Sequence, residues 1–354
     1  MTRSSHLNAE SQAELTRIVR RICQKGKGIL AADETPMAME DRFQNLNITN
    51  SDENRRLYRQ LLFTTPKSEI SSLSAVILQH ETVYQKLDDG RDFIQAVNDI
   101  GIVPGITLDK GWRAIPGHPG EVFTQGLDDL DARCKTYKSL GLHFAKWRMA
   151  ITIQGETVPS KTMIDEGVRS LALYALICQT NGIVPIVEPD ISRIGDHSWQ
   201  RQQEVFELVN NKLYEVLKDY GVFIEGTILK CSMVTAGKTN AQGATPQQVG
   251  RATRASLNRS VPVSVAGIFF LSGGLSELES TANLNAINAP ALLNDELGMP
   301  PWQLSFCFGR ALQDSCRRAW AGQEARVSQG QAQFIKRVAL NGKAALGQYQ
   351  PEDE

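Results

Sequence analysis

The sequence predicts an α/β fold, a (β/α)8 or TIM barrel that forms one domain with a C-terminal tail. Three observations favour this fold. Short apolar segments recur along the chain, amphipathic segments separate them, and the chain is 354 residues long. Strands that alternate with helices form a parallel sheet. The length is large for an ordinary domain but common for a barrel of this kind.

The apolar segments predict eight strands. Nearly every position in them is apolar, as in parallel strands that are buried on both faces. A doubly wound sheet is the alternative, but it usually carries a glycine-rich nucleotide-binding turn, and neither GxGxxG nor GxxxxGK[ST] occurs here. The segments are residues 28–34, 74–81, 103–111, 143–151, 183–191, 222–230, 265–274 and 304–312.

Helical periodicity is clearest in three of the connecting segments, residues 169–181, 204–221 and 245–260. Gly221 is placed to end the second helix, and Thr245 followed by proline is typical of a helix start. We expect residues 1–330 to form the barrel, with an N-terminal helical segment included. Residues 331–354 are expected to form a helix and tail.

The composition excludes some classes of function. Net charge is −1, with 42% hydrophobic and 22% charged residues, so a nucleic-acid partner is not expected. The six cysteines are scattered without CxxC spacing, which predicts free thiols in a reducing compartment. The N-terminus lacks an apolar leader and no segment is long enough to span a membrane. We therefore expect a cytoplasmic protein without a membrane partner.

Charged residues lie at the carboxyl ends of the predicted strands, where barrels place catalytic groups. Asp33 follows the first strand, Lys146 and Arg148 lie in the fourth, Glu188 lies in the fifth and Lys230 ends the sixth. A lone lysine at such a position is usually solvated, and a lone acid usually caps a helix. These charges occur together beside strongly apolar segments, where an unpaired charge is costly. The pattern indicates a functional site.

The last two strands end in groups suited to an anion. Ser272 and Gly273 offer a hydroxyl and flexible backbone N–H groups, while Gly309 and Arg310 offer an amide and a guanidinium. A Ser-Gly-Gly sequence alone is commonly a loop. On the seventh and eighth strands of a barrel it coincides with the usual phosphate position of the fold.

Together these groups predict Schiff-base chemistry on a phosphorylated ketone. A buried lysine beside another cation loses its proton easily, and Lys146 near Lys230 would meet that condition. Glu188 could transfer protons and Asp33 could deprotonate a hydroxyl. The five histidines form no HxH or HxxxH pair, so we expect neither a metal nor a cofactor.

Several motifs resemble those of the class I fructose-bisphosphate aldolases. They occur in family order from about residue 10 to 350: GKGILAADE, ENRRLYRQLLFT, DDGRDF, TQGLDDL, FAKWR, NGIVPIVEPDI, EGTILK, FLSGG, LNAIN and FGRALQ. The resemblance implies a metal-independent lyase of glycolysis and gluconeogenesis, often a homotetramer. Such an enzyme cleaves fructose 1,6-bisphosphate to dihydroxyacetone phosphate and glyceraldehyde 3-phosphate.

The resemblance also implies roles for individual residues. Lys230 falls on the Schiff-base lysine, and Asp33, Lys146 and Glu188 fall on the acid, base and electrostatic groups. The C1-phosphate site falls on Ser272, Gly273, Gly309 and Arg310. The other residues expected to bind substrate or phosphate are Arg148, Arg42 and Thr35.

The chain departs from the family pattern near the position implied for the C6-phosphate. The third strand has Thr107 where the family usually has lysine, and Ala38 and Asp41 replace a hydroxyl and a cation. The tail also looks shortened, with Tyr349 its last aromatic residue. An aldolase for a ketose 1-phosphate is therefore an alternative. A non-catalytic scaffold on an aldolase barrel is an alternative of another class, and another lysine-dependent barrel enzyme, such as a transaldolase, is a third.

Overall fold

Eight parallel strands close into a barrel in a computed structural model, which describes residues 6–293 and 296–354. Neighbours around the barrel follow chain order, and the last strand pairs with the first. This confirms the predicted (β/α)8 fold. The barrel strands are β1 (Gly28–Ala32), β2 (Leu73–Leu78), β3 (Val103–Thr107), β6 (Phe144–Ile151), β7 (Val184–Ile191), β8 (Ile228–Ser232), β9 (Gly267–Leu271) and β10 (Gln303–Phe308). A separate antiparallel hairpin is formed by β4 (Trp112–Ala114) and β5 (Val122–Thr124).

Helices follow the strands and cover the outside of the barrel. Their bounds are α1 (Ala9–Ile22), α2 (Pro36–Gln44), α3 (Asp52–Phe63), α4 (His80–Val83), α5 (Phe93–Asp99), α6 (Leu130–Ser139), α7 (Lys161–Thr180), α8 (Trp199–Asp219), α9 (Pro246–Ser260), α10 (Glu277–Ile287), α11 (Pro290–Leu293), α12 (Arg310–Trp320) and α13 (Val327–Ala344). The three helices predicted from periodicity lie in α7, α8 and α9. Thr245 forms a full capping box with Gln248 at the start of α9, and Pro246 takes the first helical position.

The barrel interior is apolar at one end. Side chains such as Ile29, Phe144 and Phe269 point inward and form one buried cluster with Leu15 and Ile22 of α1. Helix α1 therefore covers the amino ends of the strands. Charged side chains on the same strands are confined to the opposite mouth, since the interior beneath them offers them no polar partner.

The ends of several predicted segments differ from the structure; strand 103–111 ends at Thr107 and strand 265–274 spans only Gly267–Leu271. Two further segments differ for a reason that the structure shows. The predicted strand 222–230 begins only at Ile228, because residues 224–226 form a 3₁₀ turn that Gln179 fixes through Phe223. The predicted strand 304–312 ends at Phe308, and α12 begins two residues later. In both cases the apolar pattern continues into the adjoining turn or helix.

The C-terminal residues pack against the barrel. Phe334 and Val338 of α13 are fully buried, and Arg337 pairs with the side chain of Glu354. The proposed division at residue 330 falls inside α13 and stays a prediction. The six cysteines are free thiols. Within the described ranges, no helix is long and apolar enough to cross a membrane.

Candidate active site

The mouth of the barrel brings together the four predicted catalytic side chains. Asp33 follows β1, Lys146 lies on β6, Glu188 on β7 and Lys230 on β8. Lys146 and Glu188 are side by side because β6 and β7 pair in parallel, with Arg148 opposite Glu188. Lys146, Glu188 and Lys230 are each 3–6% exposed, so these charges are buried and depend on one another for stabilisation.

Lys146 is the centre of this group. Its Nζ lies 3.0 Å from Oδ2 of Asp33, 3.4 Å from Oδ2 of Asp109 and 3.5 Å from Oε2 of Glu188. Three carboxylates therefore surround one ammonium group. Burial lowers the pKa of Lys146, but the charges of Asp33, Asp109 and Glu188 raise it by more, so the net shift of the pKa is upward. Lys146 is a fixed cation in the site.

Asp33 is held as a carboxylate. Burial raises its pKa, but the charges of Lys146 and Lys230 outweigh burial and bring the pKa down to about 2. An ionised carboxylate at neutral pH can accept a proton from a nearby hydroxyl. This geometry suits the predicted role of Asp33 as a base.

Glu188 contacts both lysines. Its Oε1 lies 2.7 Å from Nζ of Lys230, and its Oε2 is buried and makes no hydrogen bond within the described ranges. A buried carboxylate oxygen without a hydrogen-bond donor can accept one from a substrate or a water molecule. Glu188 is placed to exchange protons with whatever reacts at Lys230.

The expectation that Lys146 would leave Lys230 readily deprotonated is wrong. Burial lowers the pKa of Lys230, and Lys146 lowers it as well, but Cys307 and Glu188 raise it more, so the net shift is upward. Burial raises the pKa of the Cys307 thiol to about 12, so Cys307 is neutral near pH 7 and the charges that raise the pKa of Lys230 there are those of Glu188 and Asp33. The upward shift favours the ammonium form of Lys230.

Arg148 lies beside this group on β6. One guanidinium nitrogen is 3.5 Å from Oδ2 of Asp190, and the guanidinium carbon is 4.2 Å from the centre of the Trp112 ring. Burial raises the pKa of Asp190, although Arg148 lowers it. The guanidinium is partly exposed at the mouth, where an anionic ligand could reach it.

The residues predicted to bind phosphate meet at one side of the mouth. Gly273 and Gly274 have φ of +52° and +91°, a conformation that side chains with a Cβ rarely adopt. A Cβ on Gly274 would lie 3.6 Å from a guanidinium nitrogen of Arg310. Ser272, Gly273 and Arg310 therefore form a compact group, with Gly309 directly before Arg310.

Thr35 and Arg42 have structural partners that the sequence did not indicate. The Thr35 hydroxyl oxygen accepts a hydrogen bond from the Ala38 N–H and caps α2. Arg42 pairs with Glu34, whose other oxygen lies 2.9 Å from Arg59. The phosphate-binding roles of Thr35 and Arg42 stay predictions.

The three departures from the family pattern lie on β3 and α2. Thr107 is the last residue of β3, and its hydroxyl donates a hydrogen bond to Oδ2 of Asp109 at 3.3 Å. Ala38 and Asp41 lie on α2, where Asp41 is exposed. Because residue 107 is threonine, this position carries no positive charge where the family usually has a lysine.

Sequence reasoning assigned no role to three residues near the site. Asp109 joins the carboxylates around Lys146, and its position at the end of the third predicted strand was the available signal. Trp112 lies on a hairpin that the apolar pattern did not reveal. Arg193 lines a small cleft with Ser272 and Gly273, and its Nε donates to the Ala236 carbonyl at 3.3 Å. Within residues 6–293 and 296–354, no group of three or more His, Cys, Asp or Glu side chains is arranged so that it could hold a metal ion.

The sequence model of the family described as fructose-bisphosphate aldolase class-I matches residues 14–354. The chain belongs to the class I fructose-bisphosphate aldolases. This aldolase is 48% identical over 340 residues to a fructose-bisphosphate aldolase of Drosophila melanogaster, which covers 96% of this chain and 92% of the relative. It is 47% identical over 348 residues to fructose-bisphosphate aldolase C of Homo sapiens, and the alignment covers 98% of this chain and 94% of the human protein.

A solved aldolase structure is also similar. The fructose-bisphosphate aldolase of Plasmodium falciparum, in complex with TRAP and a small-molecule inhibitor, is 41% identical, has a TM-score of 0.94 and matches 99% of each chain. The predictions of a class I aldolase, of a carbon–carbon lyase and of the barrel fold are confirmed. The ketose 1-phosphate and scaffold alternatives find no support among these relatives.

Proposed function

We propose that this aldolase cleaves fructose 1,6-bisphosphate reversibly to dihydroxyacetone phosphate and glyceraldehyde 3-phosphate through a Schiff base on Lys230. One observation carries the proposal. A continuous series of close charge contacts runs from Lys230 through Glu188 and Lys146 to Asp33. A nucleophile, a proton carrier, a fixed cation and a base are the groups that imine-based cleavage needs.

Imine formation begins at Lys230. Because the amine is protonated in the free enzyme, it first gives a proton to Glu188 at 2.7 Å. The neutral amine attacks the C2 carbonyl carbon, and Glu188 returns the proton to the departing hydroxyl group, which leaves as water. The product is an iminium ion that attracts electrons from the C3–C4 bond.

Carbon–carbon cleavage takes place at the other end of the charge series. Asp33 removes the C4 hydroxyl proton, a carbonyl forms at C4, and the electrons of the C3–C4 bond move into the iminium to form an enamine. Glyceraldehyde 3-phosphate leaves. Protonation of the enamine at C3 and attack of water on the iminium then release dihydroxyacetone phosphate. Lys146, 3.0 Å from Asp33, stabilises the negative charge in this region.

In this proposal the residues that bind the two phosphates of the substrate orient it in the site. Ser272, Gly273, Gly309 and Arg310 bind the 1-phosphate, and Arg148 contributes charge at the mouth near Asp190. Thr35 and Arg42 lie near the first strand, on the side assigned to the 6-phosphate. The sugar phosphate is thus held at both ends across Lys230.

The test compares kcat/KM for fructose 1,6-bisphosphate and fructose 1-phosphate. We expect the bisphosphate to be preferred by roughly a hundredfold, as two charge-assisted phosphate contacts would provide. The Lys230→Met variant should lose cleavage of both. Equal or better use of fructose 1-phosphate would overturn the bisphosphate assignment, and full activity of Lys230→Met would overturn the mechanism. A homotetramer and a cytoplasmic location stay predictions of the family resemblance.

A further inference from the structure

Arg148 is fixed on two sides. Its guanidinium lies over the Trp112 ring at 4.2 Å, and one nitrogen lies 3.5 Å from Asp190. In the described part of the chain, no hydrogen bond from the guanidinium to another protein group is found. The remaining N–H groups of Arg148 are therefore available to a ligand.

The hairpin that carries Trp112 is attached to the same strand as Arg148. Trp112 pairs with Thr124 across the hairpin, and the Thr124 hydroxyl donates to the Arg148 carbonyl at 2.7 Å. The ring and the guanidinium thus share one anchor at β6. Trp112 is 43% exposed although it is a large apolar side chain, so burial alone does not explain its position.

The charge of Arg148 lies near the position that lacks a cation. Thr107 on β3 lies opposite Lys146 on β6 in the strand register. Arg148 follows Lys146 by two residues, so the side chains of Lys146 and Arg148 leave β6 on the same face. Thr107 supplies a hydroxyl instead of a positive charge. Because three carboxylates surround Lys146, Arg148 is the cation on β6 with N–H groups that can face an anion at this side of the mouth.

We propose that Trp112 is a positioning residue that holds the Arg148 guanidinium for the 6-phosphate, the phosphate on the aldehyde half of the substrate. The ring restricts the guanidinium plane, and the free N–H edge then meets a phosphate oxygen without a further loss of side-chain freedom. The inference rests on the proposed function. It explains how the enzyme binds a bisphosphate without the lysine at position 107.

Variants at position 112 test this role. Trp112→Ala is expected to raise KM for fructose 1,6-bisphosphate by about threefold to tenfold, with little change in kcat. Trp112→Phe keeps a ring over the guanidinium and should restore most of the affinity. KM for fructose 1-phosphate should stay the same in both variants, since that substrate lacks the 6-phosphate. Arg113→Ala, a neighbouring exposed cation on the same hairpin, is the control and should leave both KM values unchanged.

Two outcomes would overturn the inference. In one, Trp112→Ala leaves KM for the bisphosphate unchanged. In the other, KM for both ketoses rises equally, which would indicate a structural role for the hairpin. Trapping of dihydroxyacetone phosphate on Lys230 separates this failure from failure of the proposed function. If the adduct forms in the wild type and in Trp112→Ala, the Schiff-base proposal stands whatever the KM values show.

Discussion

Lys230 Nζ lies 2.7 Å from one oxygen of Glu188, and the other oxygen lies 3.5 Å from Lys146 Nζ. One buried carboxylate thus bridges the nucleophile and the fixed cation. Glu188 and Asp33 both raise the pKa of Lys230, and Glu188 is the one in direct contact with it. The same carboxylate is the nearest acceptor for the proton that Lys230 must lose.

Replacing Glu188 should make Lys230 reactive at lower pH. Glu188→Gln removes the negative charge that raises the pKa of Lys230, so a larger fraction of the amine is neutral at any given pH. The rate of reductive methylation of Lys230 by formaldehyde and cyanoborohydride, followed by mass spectrometry, measures this fraction. We expect the midpoint of the pH profile to fall by about one unit or more. Glu156→Gln, at an exposed loop carboxylate, should not move it, and an unchanged midpoint in Glu188→Gln would contradict the assignment.

Asp33 should make stability depend on acid pH. Its pKa is about 2 in the folded protein, against an ordinary value of 3.8, so the unfolded chain binds the proton more readily. The stabilisation is complete above about pH 4 and is lost as the pH falls toward 2, and it amounts to about 2 kcal/mol.

Urea denaturation between pH 6 and pH 3 can detect this contribution. The difference in unfolding free energy between the wild type and Asp33→Asn should be constant at the upper end and begin to shrink below about pH 4. Asp41→Asn, at an exposed carboxylate on α2, is the matched control. A difference that grows as the pH falls would have the wrong sign for this account.

A cation at position 107 should strengthen binding of the bisphosphate. Thr107→Lys adds a positive charge at the end of β3, beside Asp109 and on the face that Arg148 occupies. A new charge-assisted contact to phosphate should lower KM for fructose 1,6-bisphosphate by about tenfold and leave fructose 1-phosphate unaffected. Thr107→Val removes the hydroxyl without adding charge and serves as control. An equal change for both ketoses would show that position 107 does not face the 6-phosphate.

Thr35 can be tested for two separate roles. Its hydroxyl oxygen caps α2, and its hydroxyl hydrogen remains able to donate to a phosphate. Thr35→Ala should reduce the unfolding free energy by about 1 kcal/mol and raise KM for the bisphosphate. Thr35→Asp restores a capping oxygen but repels phosphate, so stability should return while KM stays high. If Thr35→Asp binds the bisphosphate as well as the wild type, Thr35 is a helix cap only.

The sequence was sufficient for the barrel and for the main catalytic groups. The strands are buried on both faces, which leaves a nearly continuous apolar run, and charges such as Lys146 and Glu188 are conspicuous within such runs. The rule that barrel sites lie at the carboxyl ends of strands then placed them at one mouth. These inferences need only local patterns and the topology of the fold.

Other features depend on distances that no local pattern contains. The direction of the Lys230 pKa shift depends on the burial of the amine and on its distances to the surrounding charges, among which Glu188 lies at 2.7 Å. The contact of Trp112 with Arg148 joins residues of a short hairpin and a barrel strand, and neither segment alone indicates it. The pairing of Arg42 with Glu34 also depends on tertiary distances, because a nearby cation has to compensate the charge of a buried acid.

The most direct test of the account is the identity of the lysine that carries substrate. The enzyme is incubated with dihydroxyacetone phosphate, reduced with borohydride, digested and analysed by mass spectrometry. The account predicts a single adduct on Lys230, absent from Lys230→Met and not transferred to Lys146. An adduct on another lysine, or none on Lys230, would contradict it.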